Sequence, residues 1–174
     1  IGGEYNVTEN PELTSLPLTI ALDSIGGHLT LSANASLGDL TGLDSLQAIG
    51  GYMQIINNES LTSLEGLDSL RFIHEPIQIF NNDLLSDITG LSHLSPTSFT
   101  DVVIENCQAL SDCAIESLCG YLANGGFGTI SNNADGCNSI AEVSQACLVA
   151  VDNPADGSDI QLFPNPASSI IDIK

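Results

Sequence analysis

The most restrictive feature of this sequence is a repeat with a constant period of 24 residues. An asparagine recurs at Asn10, Asn34, Asn58, Asn82 and Asn106, and an isoleucine recurs at Ile1, Ile25, Ile49 and Ile73. A fixed period of this length is typical of solenoids, in which each repeat is one turn of a coil and packs on its neighbours. The sequence therefore predicts a stack of similar turns around one continuous core.

Each period is predicted to contain one short strand and a return path. Alternating apolar residues, typical of a half-buried strand, occur at Tyr5/Val7, Leu29/Leu31, Met53/Ile55 and Ile77/Ile79. The return path is marked by Leu13, Leu37, Leu61 and Leu85, and then by Leu16, Leu40, Leu64 and Ile88. The asparagine after each strand predicts a stacked ladder of amides. The glycine pairs before the strands, such as Gly50-Gly51, predict positive dihedrals or close backbone approach.

Strand, asparagine turn and leucine-rich return together resemble a leucine-rich repeat. The segment Gly42-Leu43-Asp44-Ser45-Leu46 recurs as Gly66-Leu67-Asp68-Ser69-Leu70, and the pattern Ile-Gly-Gly-x-Leu-x-Ile-x-x-Asn-x-x-Leu surrounds it. This pattern is similar to the receptor L-domain-like variety over about residues 1 to 113. The resemblance implies an α/β repeat fold: a right-handed leucine-rich-repeat solenoid with 24-residue turns and one short parallel strand per turn.

The repeat weakens in its fifth turn and leads into a cap. Asp101 takes the strand position opposite Leu29, and the next leucine comes one residue late. Residues 112–122 have a helical apolar stripe with Asp112 as candidate N-cap. A strand over 129–131, Asn133 and a helix over 141–149 follow. We therefore expect a solenoid over 1–111, truncated at its N-terminus because Ile1 falls within a repeat, and a partly helical, cysteine-containing cap over 112–151.

All five cysteines fall in or beside the cap, at Cys107, Cys113, Cys119, Cys137 and Cys147. They are predicted to form disulfides across the cap in an oxidising compartment, with one thiol left free or paired outside the chain. Cys137 and Cys147 are not expected to pair, because one continuous helix between them would hold them too far apart. The connectivity stays open, and a metal site is disfavoured by the spacing and by the lack of supporting histidines among the cysteines.

The C-terminal residues predict a longer parent protein. Residues 152–160 read as an acidic Pro/Gly linker. Residues 161–174 include Phe163-Pro164-Asn165-Pro166-Ala167 and resemble the opening of the C-terminal sorting domain of proteins exported by the type IX system of Bacteroidota. This resemblance implies a truncated sorting domain on a secreted or cell-surface protein. Asp-Ser-apolar tripeptides similar to Bacteroidota O-glycosylation acceptors make Ser24, Ser45 and Ser69 candidate modification sites, although turns also favour Asp and Ser.

A binding surface is predicted on the outward side of the stacked strands. The alternate positions in the first two turns are small and polar, whereas the later turns combine apolar groups and amides. An apolar patch rimmed by amides suits a protein or a saccharide. The predicted ligand-binding residues are Tyr52, Gln54, Ile56, Gln78, Phe80, Val102 and Ile104. The alternative is that a neighbouring segment or a second molecule covers this patch.

Charge and motif content exclude several function classes. Twenty-two Asp and Glu face two basic residues, Arg71 and Lys174, for a net charge of -20, so neither nucleic acid nor an anionic membrane surface is an expected partner. No apolar run is long enough for direct membrane insertion. The histidines His28, His74 and His93 do not stack, and no nucleophile elbow, zinc-protease helix or phosphate loop is present. We expect no enzyme activity.

Calcium is the one metal that the composition suggests. Asp44 and Asp68 occupy equivalent repeat positions, as do Asp39 and Asp87, and hard cations prefer oxygen ligands. The known calcium-loop patterns are absent, so no cofactor is predicted and calcium binding stays open. Together these features predict an extracellular or cell-surface recognition or adhesion module on the outer-membrane exterior. The alternative is a structural spacer or stalk, acidic and able to bind calcium, without a specific ligand.

Overall fold

The computed structural model describes residues 2–16 and 22–151. The predicted linker over 152–160 and the predicted sorting segment over 161–174 lie outside the described residues. The strands are β1 (Tyr5–Thr8), β2 (Ser24–Ile25), β3 (Leu29–Ser32), β4 (Ala48–Ile49), β5 (Met53–Ile56), β6 (Phe72–Ile73), β7 (Ile77–Phe80), β8 (Val102–Glu105) and β9 (Gly128–Ser131). The helices are α1 (Glu116–Ala123) and α2 (Ile140–Val151), and a 3-10 helix spans Thr89–Leu91.

A six-stranded parallel sheet runs along the coil in the order β1-β3-β5-β7-β8-β9, and we call it the main sheet. Its first four strands pair residues that are 24 apart, as in Tyr5 beside Leu29 and Leu29 beside Met53. The fold is therefore a parallel solenoid of about 24-residue turns, as the repeat predicts. The sheet continues through β9, so the coil extends into the segment predicted as cap.

A second, three-stranded parallel sheet lies at the corners before β3, β5 and β7, where the sequence predicts no strand. It consists of β2, β4 and β6, which are two residues long. The recurring Ile25, Ile49 and Ile73 of these strands are buried. The glycines that follow permit close approach: a side chain at Gly50 would collide with the carbonyl oxygen of Gly26. Neither of these glycines has a positive φ, so close approach is their role.

The core fills the space between the strands and the return path. Inward strand residues such as Leu29, Leu31 and Ile55 have no exposed surface, and neither do the return-path leucines Leu37 and Leu61. One turn cannot bury these side chains alone, and stacking buries them against the turns on either side. The periodic apolar positions of the sequence therefore form the core, as predicted.

The predicted amide ladder exists in the first four turns. Asn34, Asn58 and Asn82 are fully buried. The Asn58 Oδ1 accepts hydrogen bonds from the backbone N–H and the Nδ2 of Asn34, both at 3.2 Å, and the Asn58 Nδ2 donates to the Leu31 carbonyl at 3.1 Å. Each amide thus satisfies buried backbone groups of the preceding turn, and leaving those groups unsatisfied would cost free energy.

The prediction that Asn106 continues the ladder is wrong. Cys107 occupies that buried position, and its N–H donates to the Oδ1 of Asn133 at 2.9 Å, where the ladder resumes. The cause is an added residue between β7 and β8, because Ile77 pairs with Val102, 25 residues later. Burial raises the pKa of the Cys107 thiol, while hydrogen bonds from Asn82 lower it. Asn106 instead has a left-handed backbone, with φ of 56°.

The cap is stapled by two disulfides. Cys113 pairs with Cys137 and Cys119 with Cys147, at Cα separations of 5.3 and 5.5 Å, while Cys107 is free and buried. The second bridge joins α1 to α2. The predicted bridges across the cap are confirmed, Cys107 takes part in neither of them, and Cys137 does not pair with Cys147. Disulfides indicate an extracellular or otherwise oxidising environment.

The first cap helix begins later than predicted. α1 starts at Glu116, and the carboxylate of Asp112 accepts the N–H of Ala114 at 2.9 Å, so Asp112 caps a turn and is not the N-cap of the helix. The bridge from Cys113 holds this segment close to Cys137 before the helix begins. The second helix lies where the sequence predicts it.

Candidate functional site

The outward side chains of the main sheet form one continuous surface, which we call the strand face. Parallel pairing in register places equivalent side chains of successive turns side by side, about 4.8 Å apart. Three rows therefore run across the strands. The first row contains His28, Tyr52 and Pro76; the second contains Thr30, Gln54, Gln78 and Val103; the third contains Ser32, Ile56, Phe80 and Glu105.

An ordered aromatic pair begins the first row. The rings of His28 and Tyr52 stack at a centroid distance of 3.8 Å with 10° between their planes. The His28 Nδ1 accepts the backbone N–H of Tyr52 at 3.1 Å. Because this nitrogen accepts a hydrogen bond, it carries no proton in this arrangement, and it lies 3.9 Å from the Glu75 carboxylate. The hydrogen bond from the Tyr52 backbone therefore fixes the His28 ring against the Tyr52 ring.

The second row contains a direct amide bond between neighbouring turns. Gln54 and Gln78 are both half-buried, and the Gln54 Nε2 donates to the Gln78 Oε1 at 2.7 Å. This bond orients both side chains and leaves further donor and acceptor capacity at each amide. The structure thus brings the predicted residues Tyr52, Gln54 and Gln78 together on one ordered surface.

The third row is less exposed than the sequence predicts. Ile56 points away from the core cluster, yet only 9% of its surface is exposed. Its partners in register are Ser32 and Phe80, and Phe80 remains half-buried. Phe80 is therefore the accessible apolar group of this row, and Ile56 supports it from the side.

Val102 and Ile104 do not belong to the strand face, and their predicted place there is wrong. Both are 2% exposed members of the core. The added residue before β8 shifts the pairing by one, and a shift of one residue moves every side chain of a strand to the opposite side. Val103 and Glu105 occupy the outward positions instead, beside Gln78 and Phe80.

A second asparagine row borders the strand face, and the sequence reasoning missed it. The residue after each main strand has a left-handed backbone, with φ of 56° at Asn57 and 58° at Asn81. The Asn81 Nδ2 donates to the Asn57 Oδ1 at 2.9 Å, and the Asn106 Nδ2 donates to the Asn81 Oδ1 at 3.1 Å. Asparagine tolerates this backbone better than most residues. The doubled asparagines Asn57-Asn58, Asn81-Asn82 and Asn132-Asn133 are the signal that could have revealed it.

The carboxylates considered for calcium each bond to their own turn. Asp44 and Asp68 accept the N–H groups of Gly42 and Gly66 at 2.8 and 3.1 Å. Asp39 and Asp87 also accept backbone N–H groups, in their case from the residues two positions later in the chain. Across residues 2–16 and 22–151, no group of three or more His, Cys, Asp or Glu side chains is arranged to hold a metal ion.

The candidate modification sites occupy two different positions of the turn. Ser24 lies in β2 and is exposed, whereas Ser45 and Ser69 are half-buried and lie one turn apart. Glycosylation of these three serines stays a prediction. The histidines also differ in place: His28 belongs to the strand face, while His74 and His93 are exposed elsewhere on the coil.

Two cavities bear on ligand binding. The cavity inside the core, lined by residues such as Phe99 and Leu118, has a volume of about 10 Å³ and is too small for an organic ligand. The other is an open cleft of about 270 Å³ beside Arg71. Within the described part of the chain, no helix is long and apolar enough to span a membrane. Comparisons with protein-family models, with curated proteins and with solved structures found no match.

Proposed function

We propose that this chain is an extracellular or cell-surface recognition module that binds a protein or glycan through the strand face. The observation that carries the proposal is the order of that face: the His28–Tyr52 stack, the Gln54–Gln78 bond and the Asn57–Asn81–Asn106 row are all held before a ligand arrives. Side chains that are already positioned lose less entropy on binding, which favours affinity.

The chemistry of the face favours a neutral or amide-rich ligand. Tyr52 and Phe80 offer aromatic surface, and the flanking amides offer both donors and acceptors. The acidic groups nearby, Glu75, Asp101 and Glu105, disfavour an anionic partner. Aromatic groups surrounded by amides suit a sugar ring as well as a protein surface.

The wider setting is part of the same proposal. The repeat resembles leucine-rich repeats of the receptor L-domain-like variety, and residues 161–174 resemble a type IX sorting domain of Bacteroidota. The two disulfides of the cap agree with export to an oxidising environment. We infer an adhesion or recognition module displayed on the outer-membrane exterior.

The test compares two phenylalanines that reach the surface at different places. Phe80 lies on the strand face, whereas Phe72 lies in the second sheet and is 49% exposed. The wild-type chain, Phe80→Asp and Phe72→Asp are applied to arrays of glycans and of cell-surface proteins. The proposal expects at least about a tenfold loss of affinity for Phe80→Asp, as for a buried interface anchor, and little change for Phe72→Asp.

The outcomes separate this function from the spacer alternative. Ile56 is left unchanged in the test, because an aspartate at a 9% exposed position would also destabilise the fold. Equal loss in both variants would show that charge alone weakens binding, and would reject the strand face as the site. Failure of the wild-type chain to bind anything on either array would favour a structural spacer or stalk.

A further inference from the structure

Arg71 is the only lysine or arginine among the described residues, and it borders the open cleft of about 270 Å³. The cleft lies between the residue before β6, the segment after the 3-10 helix and the start of α1. It is lined by Arg71, Ser92, His93, Leu94, Ser95, Pro96 and Glu116. None of these residues contributes to the strand face, so the cleft is a separate feature of the molecule.

The guanidinium of Arg71 is held in place but only partly used. Its Nη1 donates to the carbonyl oxygens of Asp68 at 2.7 Å and of Leu70 at 3.2 Å. Within the described part of the chain, Nε and Nη2 have no hydrogen-bond partner, and no carboxylate lies at ion-pair distance from Arg71. Among residues 2–16 and 22–151, Arg71 thus has no counter-ion. A guanidinium edge of this kind binds a carboxylate through two parallel bonds.

His93 is fixed beside Arg71 by the same carbonyl group. Its Nδ1 lies 3.2 Å from the Asp68 oxygen. A carbonyl oxygen only accepts, so Nδ1 carries the proton and Nε2 of the neutral ring remains an acceptor. The hydroxyls of Ser92 and Ser95 line the same cleft and are half-buried. These three groups suit the hydroxyls of a ligand whose acid group meets Arg71.

We propose that this cleft binds a hydroxylated monocarboxylate of the sugar-acid class. The volume is at the small end for ligand sites and fits one sugar ring. Arg71 binds the carboxylate, while His93 and the two serines bind hydroxyls. Glu116 lines the cleft as well, and its charge disfavours a second acid group on the ligand. The inference does not depend on the function proposed for the strand face.

Arg71 also provides the reporter for the test, because the 174 residues contain no other arginine. Its Nε–H gives a single resonance of its own in a ¹⁵N-correlated spectrum of the whole chain. Titration with glucuronate is compared with titration with glucose, which has the same ring without the acid. We expect a saturable shift with glucuronate, with a dissociation constant of about 1 mM, as for a small exposed site. Glucose should bind at least tenfold more weakly.

Two variants complete the test. Arg71→Gln places in this turn the residue that the preceding turn has at the equivalent position, Gln47, so the fold should be retained. It should reduce the affinity for glucuronate at least tenfold, followed through the backbone amides of Ser92 and His93. The matched control Gln47→Ala should bind as the wild type does.

Three results would overturn the assignment. Glucose could shift the Arg71 resonance as strongly as glucuronate does. Folded Arg71→Gln could keep the wild-type affinity for glucuronate. N-acetylglycine, a carboxylate without hydroxyls, could bind as tightly as glucuronate, which would remove the sugar-acid class.

Discussion

Asparagine performs two different tasks at adjacent positions of this coil. Asn57 adopts a left-handed backbone at the end of the strand and is exposed. Asn58 is buried, and it bonds to backbone groups of the preceding turn and to the Asn82 side chain of the following turn. The first task needs a residue that tolerates positive φ, and the second needs a donor and an acceptor on one short side chain. The doubled asparagines follow from these two requirements.

Replacement of Asn58 by alanine should destabilise the fold severely. The change removes the acceptor for the backbone N–H and side-chain amide of Asn34 and the donor to the Leu31 carbonyl, all of them buried. Each unsatisfied buried group costs roughly 1–3 kcal/mol, so we expect a loss of at least about 3 kcal/mol in the free energy of unfolding. Urea denaturation followed by circular dichroism measures it.

Asn57→Ala is the matched control for that variant. The equivalent residue one turn earlier is Ala33, whose φ of 57° shows that alanine fits this backbone. We expect a cost of about 1 kcal/mol from the left-handed conformation. A similar loss at both positions would contradict a special role for the buried ladder.

Cys107 takes the place of asparagine in the ladder, and its thiol should make the folded state less stable at alkaline pH. Burial raises the pKa of its thiol, so the folded chain holds this proton more tightly than the unfolded chain does. Folding stability from this group is therefore present at neutral pH and falls once the pH passes the ordinary thiol pKa of about 8.5. We expect the urea midpoint to fall more between pH 8 and pH 10 in the wild type than in Cys107→Ser.

The serine variant isolates the thiol, because its hydroxyl does not titrate in this range. Burial also raises the pKa of Tyr121, which donates to the Thr100 and Phe127 carbonyls, but that group is common to both proteins. Mass spectrometry should verify that the two disulfides stay intact during the measurement. An equal fall in the two midpoints would show that Cys107 does not contribute.

At the scale of elements, the period predicts the first four main strands because their paired residues are 24 apart. It fails at β8, where one added residue shifts the pairing. The run Val102-Val103-Ile104 is apolar throughout, so alternation could not tell which of these side chains point inward. Only the pairing of β8 with β7 determines which of these side chains point inward, and the sequence of β8 by itself does not reveal that pairing.

The second sheet, the start of α1 and the disulfide pairing also could not be predicted from the pattern along the chain. Strands β2, β4 and β6 are two residues long, which is too short for alternation to show, although the recurring isoleucines mark their place. α1 starts three residues after Cys113, whose bridge to Cys137 lies across the cap and is not visible in the local sequence pattern. The disulfide pairing itself follows from which cap residues meet across the coil, and spacing along the chain does not contain that.

The repeat in the sequence predicts part of each candidate site but not all of it. The repeat identifies Tyr52, Gln54, Gln78 and Phe80 as outward neighbours, because residues one period apart are adjacent. It does not show that His28 stacks on Tyr52 or that Ile56 is almost covered, since both depend on side-chain packing. The cleft at Arg71 joins three segments that have no common repeat position, and only the assembled coil brings them together.

At the scale of the whole molecule, charge opposes folding. The net charge is -20, and among the described residues no Lys or Arg side chain lies at ion-pair distance from a carboxylate. Repulsion among exposed carboxylates should therefore weaken as salt screens it. We expect Tm to rise by about 5 °C between 0.01 M and 0.15 M NaCl. The screening length falls from about 30 Å to about 8 Å over the same range.

The same experiment with divalent ions separates screening from binding. The carboxylates of Asp39, Asp44, Asp68 and Asp87 each accept a backbone N–H group of their own turn. CaCl₂ and MgCl₂ at equal ionic strength should therefore raise Tm equally, and chelator should change nothing beyond its effect on ionic strength. A Tm unaffected by NaCl would contradict the repulsion argument. A rise specific to calcium would mean that carboxylates of neighbouring turns converge on the ion, as the calcium-binding spacer requires.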